Sequence, residues 1–195
     1  MKSSLSHLFP QFFGGPCSRR MFLQASLVGI ASFLWKPAFA SLTTGDIPEG
    51  RLSLYNIHTR ESLNITYRDS SGNYVSEALN ELDRFFRCHY TGQVTKMDIS
   101  TIESLNLVEK ILGGNREVHV ISGFRSPEYN NLLISEGRGV AKNSMHLQGK
   151  AIDFAIPQVT LLKVRDVALS LRRGGVGYYP KSDFVHIDSG RLRYW

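Results

Sequence analysis

A single aspartate interrupts the apolar run AIDFAI at residues 151–156, and it constrains the fold more than any other feature of the chain. A carboxylate inside a protein core must be paired, hydrogen-bonded or bound to a metal, because removing its water is costly. The segment SMHLQGKAIDF (144–154) also carries a histidine, His146, seven positions before Asp153. The rest of the chain must therefore supply partners for Asp153.

The segment DFVHID (183–188) supplies a second histidine, His186. Regular alternation in a strand places His186 and Asp188 on one face. Two imidazoles and one carboxylate form the ligand set of a catalytic zinc, and iron in a facial triad uses the same residue types with a different spacing. Asp188 could orient a ligand histidine or bond to backbone, and Asp153 could instead pair with an arginine such as Arg125. The candidate metal ligands are His146, Asp153 and His186.

Apolar periodicity predicts a single α+β domain with a small antiparallel sheet, flanking helices and the zinc site on the sheet. Period-two patterns predict strands over 51–59, 61–69, 116–124, 176–180 and 183–188, and the run over 149–156 predicts a strand with apolar residues on both faces. Helical spacing predicts a helix from Ser76, with Ser76 as its cap, and further helices over 101–112, 126–137 and 159–175.

The first 40 residues have the order of an export signal. Arg19 and Arg20 precede an apolar run of about 15 residues, short of the roughly 20 that span a bilayer, and Ala38-Phe39-Ala40 follows. The form S-R-R-x-F-L resembles a twin-arginine signal. We therefore predict cleavage after Ala40, a polar leader over 41–50 and a domain over 51–195, with an uncleaved anchor as the alternative. Either reading places the domain outside the cytoplasm of a bacterium, in the periplasm.

Charge and cysteine content exclude two other classes of protein. The net charge is +6, but residues 1–40 hold four basic residues and no acid, which leaves 19 basic and 17 acidic residues in the remainder. A near-neutral domain argues against nucleic-acid binding. Cys88 is the one cysteine after the signal, so no internal disulfide can form. Its place in the apolar helical run LDRFFRCHY (82–90) favours a buried structural thiol over a nucleophile.

Two motifs carry a resemblance to a known family. The pattern S-x-H-x-x-G-x-A-x-D occurs at residues 144–153, and D-x-x-H occurs at 183–186. Together they resemble the zinc peptidases that cut peptides containing D-amino acids. That family includes D-alanyl-D-alanine carboxypeptidases and murein endopeptidases of the MepK type, and the layout of an export signal followed by one domain resembles the latter. The resemblance extends from about Val118 to Asp188, and the compound motif is specific where either half alone would be weak.

The resemblance implies a role for each matching residue. His146, Asp153 and His186 would bind one Zn²⁺ per chain, and Asp183 would act as general base on the zinc-bound water and then as acid to the leaving amine. Arg125, in SGFRSP, would hold the scissile carbonyl or a substrate carboxylate. Ser144 would shape the site or contact substrate. Regular alternation aims Asp183 away from the face of His186, so the strand must start, bend or bulge there.

These observations predict an exported zinc metallopeptidase that hydrolyses the peptide cross-links of peptidoglycan. A D,D-carboxypeptidase acting on stem peptides is the alternative within enzymes. A catalytically silent murein-binding module that keeps zinc for structure is the alternative from another class, and a structural site would need neither Asp183 nor Arg125. Peptidoglycan peptides are the expected partners, with no stable membrane insertion if the signal is cleaved, and the oligomeric state stays open.

Overall fold

The computed structural model describes residues 49–195, which lie within one compact unit. The predicted export signal and nearly all of the predicted leader lie outside the described residues. Gly50, the last residue assigned to the leader, is already the first residue of the first strand. In the described part of the chain, no helix is both long and apolar enough to cross a bilayer.

Seven strands and four α-helices make up the described domain, which confirms the predicted α+β class. The strands are β1 (Gly50–Asn56), β2 (Ser62–Arg68), β3 (Glu117–Ser122), β4 (Ala151–Ala155), β5 (Gly175–Tyr179), β6 (Phe184–Asp188) and β7 (Arg193–Tyr194). The helices are α1 (Ser76–Phe85), α2 (Ile99–Ile111), α3 (Pro127–Ser135) and α4 (Leu161–Leu171). A single 3₁₀ turn, Met145–Gln148, precedes β4. Neither this turn nor the short strand β7 was predicted.

The strands form one sheet in the order β2-β1-β3-β4-β6-β5-β7. Most neighbours are antiparallel, as predicted, but β1 pairs with β3 and β5 pairs with β7 in parallel. Between β1 and β3 the chain runs back along β2 and then passes through α1 and α2, so β3 begins at the same end of the sheet as β1 and runs parallel to it. The sheet is therefore mixed, with β4 and β6 near its middle.

Both faces of the central strands are buried, but they differ in chemistry. Ile152 and Phe154 of β4 and Val185 and Ile187 of β6 belong to the hydrophobic core, where α2 and α4 pack. Alternation turns Asp153 and the residues paired with it to the opposite face. The apolar run that contains Asp153 is thus a strand covered on both sides, which explains why its sequence does not alternate.

Three of the four helices begin at a side-chain cap. Asp98, Ser126 and Thr160 accept hydrogen bonds from the backbone N–H of Thr101, Tyr129 and Lys163 at the starts of α2, α3 and α4. The predicted cap of α1 was wrong, because Ser76 is the first helical residue and Val75 precedes it without a side-chain bond.

Cys88 is buried, as predicted, but it lies beyond the end of α1 rather than inside a helix. Its Sγ lies 3.5 Å from Oγ of Ser126.

Candidate metal centre

Three separate segments bring the predicted metal ligands together. Asp153 on β4 and His186 on β6 are directly paired in the antiparallel register, so their side chains leave the same face of the sheet side by side. His146 comes from the 3₁₀ turn that precedes β4. All three residues are buried. The structure therefore unites residues that the sequence separates by up to 40 positions.

The candidate ligand atoms lie close together, and both carboxylate oxygens of Asp153 take part in these contacts. Nε2 of His146 lies 3.2 Å from Nδ1 of His186 and 3.2 Å from Oδ2 of Asp153. Oδ1 of Asp153 lies 2.7 Å from Nδ1 of His186. A tetrahedral zinc with ligand distances of about 2.0–2.1 Å holds its ligand atoms about 3.3 Å apart. Within residues 49–195, His146, Asp153 and His186 form the one group of three or more potential ligands close enough to hold a metal ion.

Each imidazole forms a hydrogen bond on the side away from the cluster, and this bond determines which ring nitrogen faces the other two residues. Nδ1 of His146 donates to the carbonyl of Gly123 at 2.7 Å, and Nε2 of His186 donates to Oδ2 of Asp188 at 3.0 Å. In the neutral rings, the remaining nitrogens carry lone pairs and no proton. When both rings are neutral, two nitrogen lone pairs and a carboxylate converge in a buried space. This donor set fits a divalent cation such as zinc.

Charges within the cluster reinforce that arrangement. Burial alone would raise the pKa of the Asp153 carboxyl, but the imidazoles of His146 and His186 outweigh burial and hold this pKa well below its ordinary value. Burial would lower the pKa of His186, whereas the carboxylates of Asp153 and Asp188 raise it. Asp153 therefore stays ionised, and the cluster favours positive charge at its centre.

Asp188 accepts four hydrogen bonds besides its contact with His186. The backbone N–H groups of Gly175 and Gly190 donate to its Oδ1 at 3.2 and 2.8 Å. Arg193 donates from Nη1 to Oδ1 at 3.2 Å and from Nη2 to Oδ2 at 2.6 Å. Of the two possibilities left open by the sequence, contact with a histidine and contact with backbone, the structure shows both. Sequence analysis did not single out Arg193. Its contact with Asp188 depends on the pairing of β7 with β5, which the local sequence does not show.

The turn that carries His146 depends on Ser144 and on two glycines. Oγ of Ser144 accepts from the backbone N–H of His146 at 3.4 Å, so this serine shapes the site. Gly149 ends the turn with φ of +65°, and a Cβ there would lie 2.6 Å from the carbonyl oxygen of Lys96. A Cβ at Gly123 would lie 2.6 Å from the carbonyl oxygen of Phe86. Only glycine therefore fits at either position without a shift of the backbone.

Arg125 lies beside the cluster, at the end of β3. Its backbone N–H donates to the carbonyl of His146 at 3.1 Å, and its Nη2 lies 3.8 Å from Oδ2 of Asp153. The guanidinium is buried. The pairing of Asp153 with an arginine therefore exists, but it is looser than the contacts of Asp153 with the two imidazoles.

Asp183 lies in the turn immediately before β6, which begins at Phe184. Its backbone is left-handed, with φ of +54°, so the regular alternation of β6 does not extend to it. This confirms that the strand starts after Asp183. The side chain is exposed and forms no hydrogen bond or ion pair with another residue in 49–195. The Asp183 carboxylate therefore has no hydrogen-bond or ion-pair partner within the described part of the chain, and it does not contact the cluster.

A tryptophan that sequence analysis missed forms one side of the site. The Trp195 ring lies 5.3 Å from the His186 ring, and its Nε1 donates to the hydroxyl of Tyr179 at 2.6 Å. The indole lies over Gly177, the residue paired with His186 on β5. Nothing in the local pattern near residue 195 indicates this contact, because it depends on the pairing of β7 with β5.

Comparison with known proteins agrees with this geometry. The family model for the peptidoglycan L,D-endopeptidase MepK matches residues 47–195. The peptidoglycan L,D-endopeptidase MepK of Escherichia coli K12 is 43% identical over 180 residues, which cover 91% of this chain and 97% of that protein. The probable peptidoglycan L,D-endopeptidase MepK of Haemophilus influenzae is 43% identical over 175 residues, which cover 87% and 92%. The chain therefore belongs to the MepK family. No solved structure is detectably similar to it.

Proposed function

We propose that this chain is an exported zinc metallopeptidase that hydrolyses peptide cross-links of peptidoglycan, with one zinc bound by His146, Asp153 and His186. One observation carries the proposal: one ring nitrogen each of His146 and His186 and the carboxylate of Asp153 converge in a buried cluster, with separations of 2.7–3.2 Å between their atoms. Three protein ligands are the number found in catalytic zinc sites, which leave a fourth position open. Family membership supports the same function.

Bound zinc would acidify water and polarise the scissile carbonyl. Asp183 would accept the proton of the attacking water and then donate it to the leaving amine. Its exposed carboxylate is available for this role, since no described residue engages it.

Arg125 would stabilise the oxygen of the scissile carbonyl as negative charge develops there. The guanidinium is buried, so its charge is poorly screened by water and acts strongly on a nearby oxyanion. Asp188 would not touch substrate in this mechanism. It would hold the Nε2 proton of His186 and so present Nδ1 to the metal.

We further propose that the bond cut is an L,D cross-link, because the relatives with 43% identity are named for L,D-endopeptidase activity. Peptidoglycan lies outside the cytoplasm, which agrees with a periplasmic location and with the predicted export signal. The proposed route is the twin-arginine pathway.

The decisive experiment incubates the purified protein, without residues 1–40, with defined muropeptides and identifies the products by mass spectrometry. One substrate is a dimer joined by an L,D bond, one is a dimer joined by a D,D bond, and one is an uncrosslinked stem peptide. We expect cleavage of the L,D dimer. Release of a terminal D-alanine from the stem alone would instead show a D,D-carboxypeptidase.

Elemental analysis of the same protein tests the metal centre. We expect about one zinc per chain, and we expect His146→Ala to lose it, since three ligands are needed to hold the ion. Undiminished zinc in His146→Ala would contradict the site. Zinc binding and binding to sacculi without any cleavage would show the binding module.

A further inference from the structure

The Arg125 guanidinium is buried yet makes few bonds for a group with five N–H donors. Only 8% of the residue is exposed. Nη1 donates to Oδ1 of Asn130 at 3.4 Å, and Nη2 lies 3.8 Å from Oδ2 of Asp153. Nε has no hydrogen-bond partner among the described residues. An unpaired buried donor costs about 1–3 kcal/mol, so the surrounding structure must hold this side chain in place.

Asn130 is the neutral group in contact with this guanidinium, and it is itself held on both sides. The residue is 1% exposed. Its Nδ2 donates to the carbonyl of Ala141 at 3.3 Å, which turns Oδ1 toward Arg125. Its backbone N–H donates to the carbonyl of Ser126 at 2.9 Å, in the first turn of α3. The amide therefore has one orientation, fixed by the helix and by the loop that contains Ala141.

The chemistry of an amide matters at this position. A carboxylate would form a bidentate ion pair with the guanidinium and cancel most of its charge. The amide oxygen accepts one hydrogen bond and leaves the positive charge available to an oxyanion. Because the cap of α3 at Ser126 directly follows Arg125, the same short segment carries the arginine and the start of the helix that restrains it.

We propose that Asn130 is a positioning residue, which holds the Arg125 guanidinium beside Asp153 without adding a second negative charge next to it, so that the guanidinium can act on the reacting carbonyl. This inference rests on the proposed function for its effect on rate, but the restraint of Arg125 by Asn130 can be measured without any activity.

The neighbouring asparagine provides matched controls for the test. Asn131 is exposed on the same helix, so Asn131→Ala and Asn131→Asp make the same chemical changes away from Arg125. In the full chain, we expect Asn130→Ala to lower kcat about 10- to 100-fold with little change in KM, because misplacement of a group that acts in the transition state affects the chemical step. Asn130→Asp should lower kcat by at least the same factor. Both Asn131 variants should match the parent, and all variants should keep their zinc.

A double-mutant cycle separates positioning from general damage to the fold. If Asn130 acts through Arg125, the variant that combines Asn130→Ala with Arg125→Met should be no slower than Arg125→Met alone. A further rate loss in the double variant, equal to that of Asn130→Ala in the parent, would overturn the proposal.

Nitrogen-15 NMR of the arginine side chains gives the readout that needs no activity. We expect resolved, slowly exchanging Nη protons of Arg125 in the parent and in Asn131→Ala, and averaged signals in Asn130→Ala. Identical Arg125 signals in the parent and Asn130→Ala would overturn the proposal. If the parent cleaves no muropeptide, the proposed function fails, while these spectra still decide whether Asn130 restrains Arg125.

Discussion

Asp183 is the residue whose proposed role is most easily separated from zinc binding. It lies outside the ligand cluster, and asparagine tolerates its left-handed backbone as well as aspartate does. Asp183→Asn should therefore keep the fold and the zinc but remove a proton acceptor. General acid–base catalysis contributes about 10²–10⁴-fold to rate, and we expect a loss of that size in cleavage of the L,D dimer.

The control for this prediction is Asp166→Asn, which removes an exposed carboxylate on α4. The comparison uses proteins whose zinc content and melting temperature match the parent. Equal rates for the parent and a matched Asp183→Asn protein would show that the general base lies elsewhere.

At the scale of residues, the sequence predicted the three members of the cluster but not the groups that hold them. His146, Asp153 and His186 stand in motifs of fixed spacing, and the structure brings them together. Arg193 and Asn130 could not be selected in this way, because an arginine near a chain terminus and an asparagine in a helix have many ordinary roles. Only the pairing of β7 with β5 and the packing of α3 show what these two side chains contact.

Among the structural elements, the 3₁₀ turn that carries His146 ends in close contact with neighbouring backbone, and Gly149 tests this contact. Both Gly149 and Gly137 have left-handed backbones, with φ of +65° and +68°, but only Gly149 faces the carbonyl of Lys96. We expect Gly137→Ala to cost about 1–2 kcal/mol, the strain of a left-handed alanine. Gly149→Ala should cost more and also weaken zinc binding, because the turn must shift.

Thermal unfolding and competition with a zinc chelator measure these two effects. Gly137 has open space around the position of a Cβ, so Gly137→Ala should bind zinc as the parent does. Equal losses of stability in the two variants, with equal zinc affinity, would show that the turn can relax without disturbing His146.

Local sequence patterns predicted most elements of the fold, including all six longer strands, with bounds that lie within a few residues of the observed ones. It failed where the result depends on partners distant in sequence. The two residues of β7 are too few to show a period, and they form a strand only because β5 offers an unpaired edge. The parallel pairing of β1 with β3 could not be read from either strand alone, since both alternate in the same way whatever their direction.

On the scale of the whole molecule, a cluster of aromatic rings joins three distant parts of the chain. The His89 ring stacks on His58 at 4.0 Å and meets Tyr129 of α3 edge-on at 4.9 Å. Burial, together with the charges of His58 and Arg125, lowers the pKa of His89 to about 4. The folded protein therefore keeps this ring neutral in a pH range where the unfolded chain, with an ordinary histidine pKa of about 6.5, becomes protonated.

This difference predicts that stability falls as the pH decreases. Between about pH 6.5 and pH 4, the unfolded state binds more protons at His89 than the folded state does. The contribution of the neutral His89 to the free energy of unfolding is therefore complete above pH 6.5 and is lost as the pH falls through this window. Because His89 is only half-buried, solvent screens the effect, and we expect about 1–2 kcal/mol. Denaturant unfolding at pH 7 and pH 4.5 should show a smaller difference for His89→Gln than for the parent. Tyr90→Phe, which leaves the imidazole in place, should keep the parent's difference.

The last prediction concerns where the molecule is delivered, and it depends on Arg19 and Arg20. We expect the twin-arginine pathway to read this pair, and lysine keeps the positive charge but loses the planar guanidinium with its five fixed donors. Changing both residues to lysine should therefore leave the precursor in the cytoplasm, as measured by cell fractionation with an antibody against the domain. A single change of Lys2 to arginine, outside the pair, serves as the control and should leave export intact. Normal export of the double variant would point to the general secretory route, which requires positive charge and an apolar run but no arginine pair.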